Sequence, residues 1–123
     1  MSYTLLIIDD DEDIRIILQS VLSEISNIEI LEAVDATSAR EVILSQKIDG
    51  IVLDFTLPDT NGEELLKELK ASDSTKLIDI VMLSARDDAD LGGKWLSIGA
   101  KAVFRKPFNP FELQAELRVH LGL

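Results

Sequence analysis

"LLIIDDDEDIR", residues 5–15, is the stretch from which the fold can be read. Four apolar residues, Leu5 to Ile8, run straight into three consecutive aspartates, Asp9 to Asp11. The apolar half has the make-up of a strand buried on both faces. Beyond the acids, Ile14, Ile17, Val21 and Ile25 recur at a helical period. Stacked carboxylates repel: at ~4 Å and an effective dielectric of ~20, each pair costs about 4 kcal/mol. A bound cation is the obvious group to offset that cost.

The same strand-then-helix unit repeats along the chain. Apolar runs fall at Leu5–Ile8, Ile28–Leu31, Ile51–Leu53, Ile80–Leu83 and Ala102–Phe104. Between them, Ala39, Val42 and Ile43, then Leu65, Leu66 and Leu69, keep helical spacing. The last segment opens with Asn109 as N-cap, Pro110 at the first helical position and Glu112 in the first turn, and Leu113, Leu117 and Leu121 line one face. Fivefold alternation predicts an α/β fold, a single doubly wound domain over residues 1–123 with a parallel sheet and five helices. The first, third and fourth runs are continuously apolar, as central strands should be. Ile28-Glu29-Ile30 alternates, and Ala102–Phe104 is hemmed by Lys101, Arg105 and Lys106, so these two are edges. That sorting fits the strand order 2-1-3-4-5, in which ligands bind beyond the carboxyl ends of the strands.

Composition narrows the function classes. The chain has 123 residues, one ordinary domain's length, and its 46% hydrophobic content suits a packed core rather than disorder. It has no cysteine, which excludes disulfides and thiolate metal sites. No apolar run nears the ~20 residues of a membrane span, and the N-terminus does not look like a signal peptide, so a cytoplasmic location is expected. The net charge of −11, from 23 acidic and 12 basic residues, argues against direct nucleic-acid binding, which needs a clustered basic surface.

Polar residues collect where the strands end: Asp9 and Asp10 after the first, Asp54 after the third, Ser84 after the fourth, Lys106 after the fifth. Taken singly, an Asp there is usually a turn former or cap, Ser84 could cap the next segment, and Lys106 could be a solvated edge charge. Five such residues on one rim need a chemical reason. Mg²⁺ takes one or two carboxylates plus waters and a phosphate oxygen. A carboxylate can also be a nucleophile that forms an aspartyl-phosphate, with metal and lysine neutralising the transferred group.

With "IIDDDEDIR" at the first strand, "LDFTLPDTNG" at the third, "MLSA" at the fourth and "FRKPF" at the fifth, the sequence resembles a response-regulator receiver domain over essentially its whole length. The resemblance implies the flavodoxin-like fold of chemotaxis regulators and a phosphorylation-dependent switch of a two-component system or phosphorelay. It makes Asp54 the phosphoryl acceptor, with Mg²⁺ (Mn²⁺ as an alternative) held by Asp9, Asp10, Asp54 and the main-chain carbonyl of Thr56. Ser84 and Lys106 would contact the phosphoryl group, the Lys106–Pro107 bond would be cis, and Asp11 would start the first helix. The donor would be a histidine kinase or histidine phosphotransfer protein. Output would pass through the helix 4–strand 5–helix 5 face to an unknown domain or partner, or to a phosphorylation-dependent dimer. Such a chain catalyses only its own phosphorylation and hydrolysis and is not an enzyme with a turnover substrate. Thr56 and Arg86 hold positions that tune dephosphorylation in the family.

Two departures stand out. Val103 occupies the family's usual switch-aromatic position, and Phe104, one residue on, should face the other helix layer. Gly92-Gly93 falls inside the fourth helix at a cost of about 1 kcal/mol each. That pair is either a softened, mobile output surface or a short helix without signalling meaning. Trp95 in the same segment is expected to be partly packed, and His120 to lie on a helix surface. Two other classes are less well matched. A haloacid-dehalogenase-like phosphohydrolase would carry a second Asp two residues after the nucleophile, where this chain has Thr56. A receiver-like interaction module independent of phosphorylation would be expected to have lost part of the Asp9, Asp10, Asp54, Ser84 and Lys106 set. The C-terminal "ELQAELRVHLGL" resembles receiver ends that continue into a further domain, and a stand-alone receiver is the other possibility.

Overall fold

A computed structural model describes residues 2–85 and 89–123, with the backbone alone for 89–91. The elements alternate as β1 (Tyr3–Ile8), α1 (Glu12–Leu22), β2 (Ile28–Ala33), α2 (Ala36–Ser45), β3 (Gly50–Asp54), α3 (Gly62–Ala71), β4 (Asp79–Ser84), α4 (Ala89–Ile98), β5 (Ala102–Arg105) and α5 (Pro110–Leu121). All strand pairings are parallel and the sheet order is β2-β1-β3-β4-β5, as the alternation predicts.

Strand alternation sends side chains to two cores. Leu6, Ile8, Ile51, Leu53, Ile80 and Met82 face α2, α3 and α4, where Leu65, Leu66 and Trp95 meet them. Leu5, Ile7, Val52, Val81 and Leu83 face α1 and α5, against Leu18, Leu22, Leu113 and Leu117. The central strands are therefore apolar along the runs Leu5–Ile8, Ile51–Leu53 and Ile80–Leu83, whereas β2 and β5 are only partly covered.

Each helix start is chemically specified. Asp11 caps α1, its carboxylate accepting from the N–H groups of Asp13 and Ile14. Asp35 and Ser38 form a capping box on α2. Asn61 and Asn109 cap α3 and α5, and Pro110 takes the first turn of α5. Gly122 ends α5 in the left-handed region, φ 69°.

Two side chains differ from the sequence reading. On α1 the buried residues are Leu18, Val21 and Leu22, while Ile17 is partly exposed. The stripe passes through Leu18, four residues after Ile14, and leaves Ile17 on its shoulder. Trp95 is fully buried rather than partly packed, at 1% exposure. Gly92 and Gly93 lie within α4, and a Cβ added at either would meet nothing within 4 Å, so close packing does not explain them. Among the described residues, no helix is long and apolar enough to cross a membrane.

Candidate functional site

The carboxyl ends of β1 and β3 are neighbours in the sheet, and this brings Asp9 and Asp54 together. Carboxylate oxygens of Asp9, Asp10 and Asp54 all lie within 4.8 Å of one another. Asp9 is 1% and Asp54 5% exposed, whereas Asp10 is open to solvent. Lys106, arriving from the end of β5, places its Nζ 2.7 Å from Asp9 Oδ2 and 3.3 Å from Asp54 Oδ2. The like-charge cost that the sequence raises is thus met within the chain by one ammonium shared between two buried carboxylates.

The turn that presents Asp9 is held at three points. Its Oδ1 accepts from the N–H of Asp11 at 2.9 Å. Its N–H donates to the carbonyl of Ala33, 3.1 Å away. Its own carbonyl accepts from Arg15 Nη1 at 2.9 Å, and the Nε of that guanidinium is paired with Glu32 Oε1 on β2 at 3.0 Å.

The loop after Asp54 is closed just as tightly. Phe55 donates to the Leu83 carbonyl at 2.9 Å and accepts from the N–H of Gly62 at 2.6 Å. Thr56 and Asn61 form an isolated antiparallel bridge. A Cβ at position 62 would stand 2.3 Å from the Asp54 carbonyl oxygen, so only glycine allows this approach. Asp59 reaches across to α2 and accepts from the N–H of Ala36 (3.0 Å) and from the N–H and hydroxyl of Thr37 (both 2.9 Å). Those bonds, the one from Ala36 foremost, hold its carboxyl down at about 2.

Ser84, the last residue of β4, is buried, and its carbonyl accepts from the N–H of Lys106 at 2.9 Å. The Lys106–Pro107 bond is cis. Val103 packs into the core on the α3–α4 side. Phe104 packs on the opposite layer, where its ring meets that of His120 edge-on at 5.9 Å. His120 lies 3.4 Å from Glu116 on the same helix, remote from the acidic rim. Arg86 falls outside the described residues. A groove of about 440 Å³ lined by Leu44, Asp49, Leu77 and Ile78 opens at the opposite end of the sheet and shares no residue with the rim.

Burial pushes the Asp54 carboxyl up, the charge of Asp9 adds to this, and Lys106 and the Thr56 N–H oppose it, leaving the group at about 6. Burial pulls the Lys106 ammonium down, but its hydrogen bond to Asp9 and the Asp54 charge outweigh that, and its pKa ends raised. At neutral pH the rim therefore offers carboxylates beside a fixed ammonium. Its donor set of hard oxygens fits Mg²⁺ or Mn²⁺ rather than a thiophilic metal.

Three participants escaped the sequence reading. Arg15 clamps the Asp9 turn, Asp59 anchors the post-Asp54 loop, and Glu63 receives the indole N–H of Trp95 at 2.8 Å. Asp59, Glu63 and the Arg15–Glu32 pair join residues 17 or more apart in sequence, and local periodicity carries no signal for such pairs.

Comparison with known proteins shows what the chain is similar to. The sequence profile of the response regulator receiver domain matches residues 5–118. The phosphate regulon transcriptional regulatory protein PhoB of Pseudomonas aeruginosa is 41% identical over 118 residues, 96% of this chain and 51% of that protein. The chain thus spans about half the length of that relative. Sporulation initiation phosphotransferase F of Bacillus subtilis is 28% identical over 123 residues, covering all of this chain and 97% of that one. In structure, the chemotaxis response regulator CheY4 of Vibrio cholerae superposes with a TM-score of 0.88 at 25% identity, covering 98% of this chain and 99% of that one.

Proposed function

The chain belongs to the response regulator receiver domain family, and on that premise we propose that residues 1–123 act as one phospho-acceptor unit with Asp54 as the acceptor. The observation that carries this reading is the convergence of Asp9, Asp10 and Asp54 within 4.8 Å, with Lys106 bridging the two buried members. An Asp54 oxygen attacks phosphorus, the bond from phosphorus to the donor breaks, and the leaving group departs with the electron pair. From a phosphohistidine the leaving group is an imidazole that takes up a proton. From acetyl phosphate it is acetate. Asp9, Asp10, Asp54 and the Thr56 carbonyl would hold Mg²⁺, which would supply positive charge to offset the phosphoryl oxygens.

Lys106 orients the Asp54 carboxylate beforehand and pairs with the phosphoryl group afterwards, a charge-assisted contact it can make by giving up Asp9. The Ser84 hydroxyl donates to a phosphoryl oxygen. Family membership supports donors of histidine kinase or phosphotransfer type, and the output passes through the α4–β5–α5 face. The chain modifies itself and regulates a partner; it does not turn over a substrate.

The direct test is intact mass after incubation with acetyl phosphate, with and without Mg²⁺, on wild type and Asp54→Asn. A Mg²⁺-dependent gain of one phosphoryl group that the variant lacks is expected. No gain, together with no detectable beryllofluoride complex, would leave a phosphorylation-independent interaction module instead.

A further inference from the structure

With Val103 at the position where the family has its switch aromatic, β5 offers no ring to turn toward Ser84. The structure places an aromatic pair elsewhere on the rim. Phe55 follows Asp54 directly, and its ring stacks on Trp95 of α4 with centroids 5.1 Å apart and planes inclined by 27°. The indole N–H donates to Glu63 Oε1 at 2.8 Å. Glu63 in turn follows Gly62, whose N–H bonds the Phe55 carbonyl. Backbone and side chains thus close a circuit from the end of β3 through the first turn of α3 to α4 and back.

We propose that Phe55 and Trp95 form the relay by which α4 senses the chemical state of Asp54, taking over the part of the missing β5 aromatic. The proposal rests on the reading of Asp54 as acceptor. Four features support it. Phe55 has its N–H on β4 and its carbonyl on α3, so a shift at Asp54 is passed to its ring rather than absorbed by a loose loop. Trp95 is 1% exposed, so its ring moves only together with the side chains packed around it. Glu63 Oε2 lies 3.1 Å from Lys94, so α4 is gripped at two successive residues. Finally, Gly92 and Gly93 precede that grip without close neighbours, giving the helix a stretch whose backbone can re-form at low steric cost.

The test uses the full chain, with Trp95 as its single tryptophan reporter. Intact mass after acetyl phosphate and Mg²⁺ gives the modified fraction. Indole emission and hydrogen exchange of the 89–98 amides are followed in the same samples. The expected result is a change in emission and in exchange that tracks the modified fraction, together with loss of both changes in Phe55→Leu while the mass gain persists. Glu63→Gln, which keeps an acceptor for the indole but gives up the Lys94 ion pair, serves should Phe55→Leu fail to fold, and the same uncoupling is expected of it. Full modification with unchanged emission and exchange would overturn the relay, as would an undiminished α4 response in the folded variants. Absence of any mass gain would instead refute the acceptor reading, and the relay would fall with it.

Discussion

Replacing Lys106 by Met tests the electrostatic account of the rim most directly. Met keeps much of the aliphatic stem and removes the ammonium that stands 2.7 Å from Asp9 and 3.3 Å from Asp54. Both carboxylates are 5% exposed or less, so water cannot replace what is lost. Two charges within 4.8 Å repel by about 3.5 kcal/mol at an effective dielectric of ~20. Breaking a buried pair from one side costs about 3–5 kcal/mol by general experience. These are two views of one effect and do not add.

Asp54 can relieve part of the strain by binding a proton, so the loss should depend on pH. In the wild type its folded pKa is raised to about 6, above an unfolded value of about 3.9. Its contribution is therefore full below about pH 4 and is lost as pH rises through about 6. Without the lysine the folded value climbs further, and the deficit of the variant grows between about pH 5 and about pH 8. Near pH 8 in chelator, a loss of about 3 kcal/mol is expected, roughly 10 °C in Tm for a chain of this size. Urea and thermal unfolding followed by circular dichroism measure it. Added Mg²⁺ should then stabilise the variant more than the wild type, because the metal no longer competes with Nζ for Asp9. Equal stability of the two proteins in chelator at about pH 8, or an equal gain from Mg²⁺, would refute the argument.

Gly62→Ala should destabilise by about 2–3 kcal/mol in chemical denaturation, because the added methyl meets backbone at 2.3 Å and 2.9 Å rather than a movable side chain. Asp59→Asn should lower Tm at neutral pH. Since the Asp59 carboxyl is depressed to about 2, the difference from wild type should be present above about pH 4 and vanish as pH falls through about 2. Leu66→Ala, at a fully buried α3 position, should cost about 2–5 kcal/mol with the denaturant slope unchanged. Asp10→Asn, at an exposed position, should leave Tm in chelator nearly unaltered but weaken the rise that Mg²⁺ produces, as read by a thermal-shift titration.

The fold was legible because its determinants are local and repeated. The apolar runs at Leu5–Ile8, Ile51–Leu53 and Ile80–Leu83 declare double-faced burial, and the alternation at Ile28-Glu29-Ile30 declares an edge. Strand order then brings Asp9 beside Asp54 without further information. What stayed hidden acts across the chain. Asp59 reads as a turn residue after Pro58, yet its work is to cap a helix 22 residues away in sequence. Arg15 reads as the polar face of α1, yet it pairs with Glu32 on β2, 17 residues on, while holding the Asp9 carbonyl. Trp95, expected to be partly packed, is drawn inward by the ring of Phe55 and the carboxylate of Glu63, neither of them near it in sequence.

The placement of Lys106 also bears on how the chain reaches its native state. The β1–β2 and β1–β3 ladders join segments at modest sequence separation, with Tyr3 opposite Ile28 and Leu5 opposite Gly50. The counterion comes from a position 97 residues beyond Asp9. An assembly of the first three strands would hold Asp9 and Asp54 face to face with nothing between them, so half-built forms are disfavoured until β5 docks. This penalises partial structure and sharpens the folding transition. A divalent ion present during refolding would stand in for the late-arriving ammonium, raising the population of early assemblies and blunting that cooperativity.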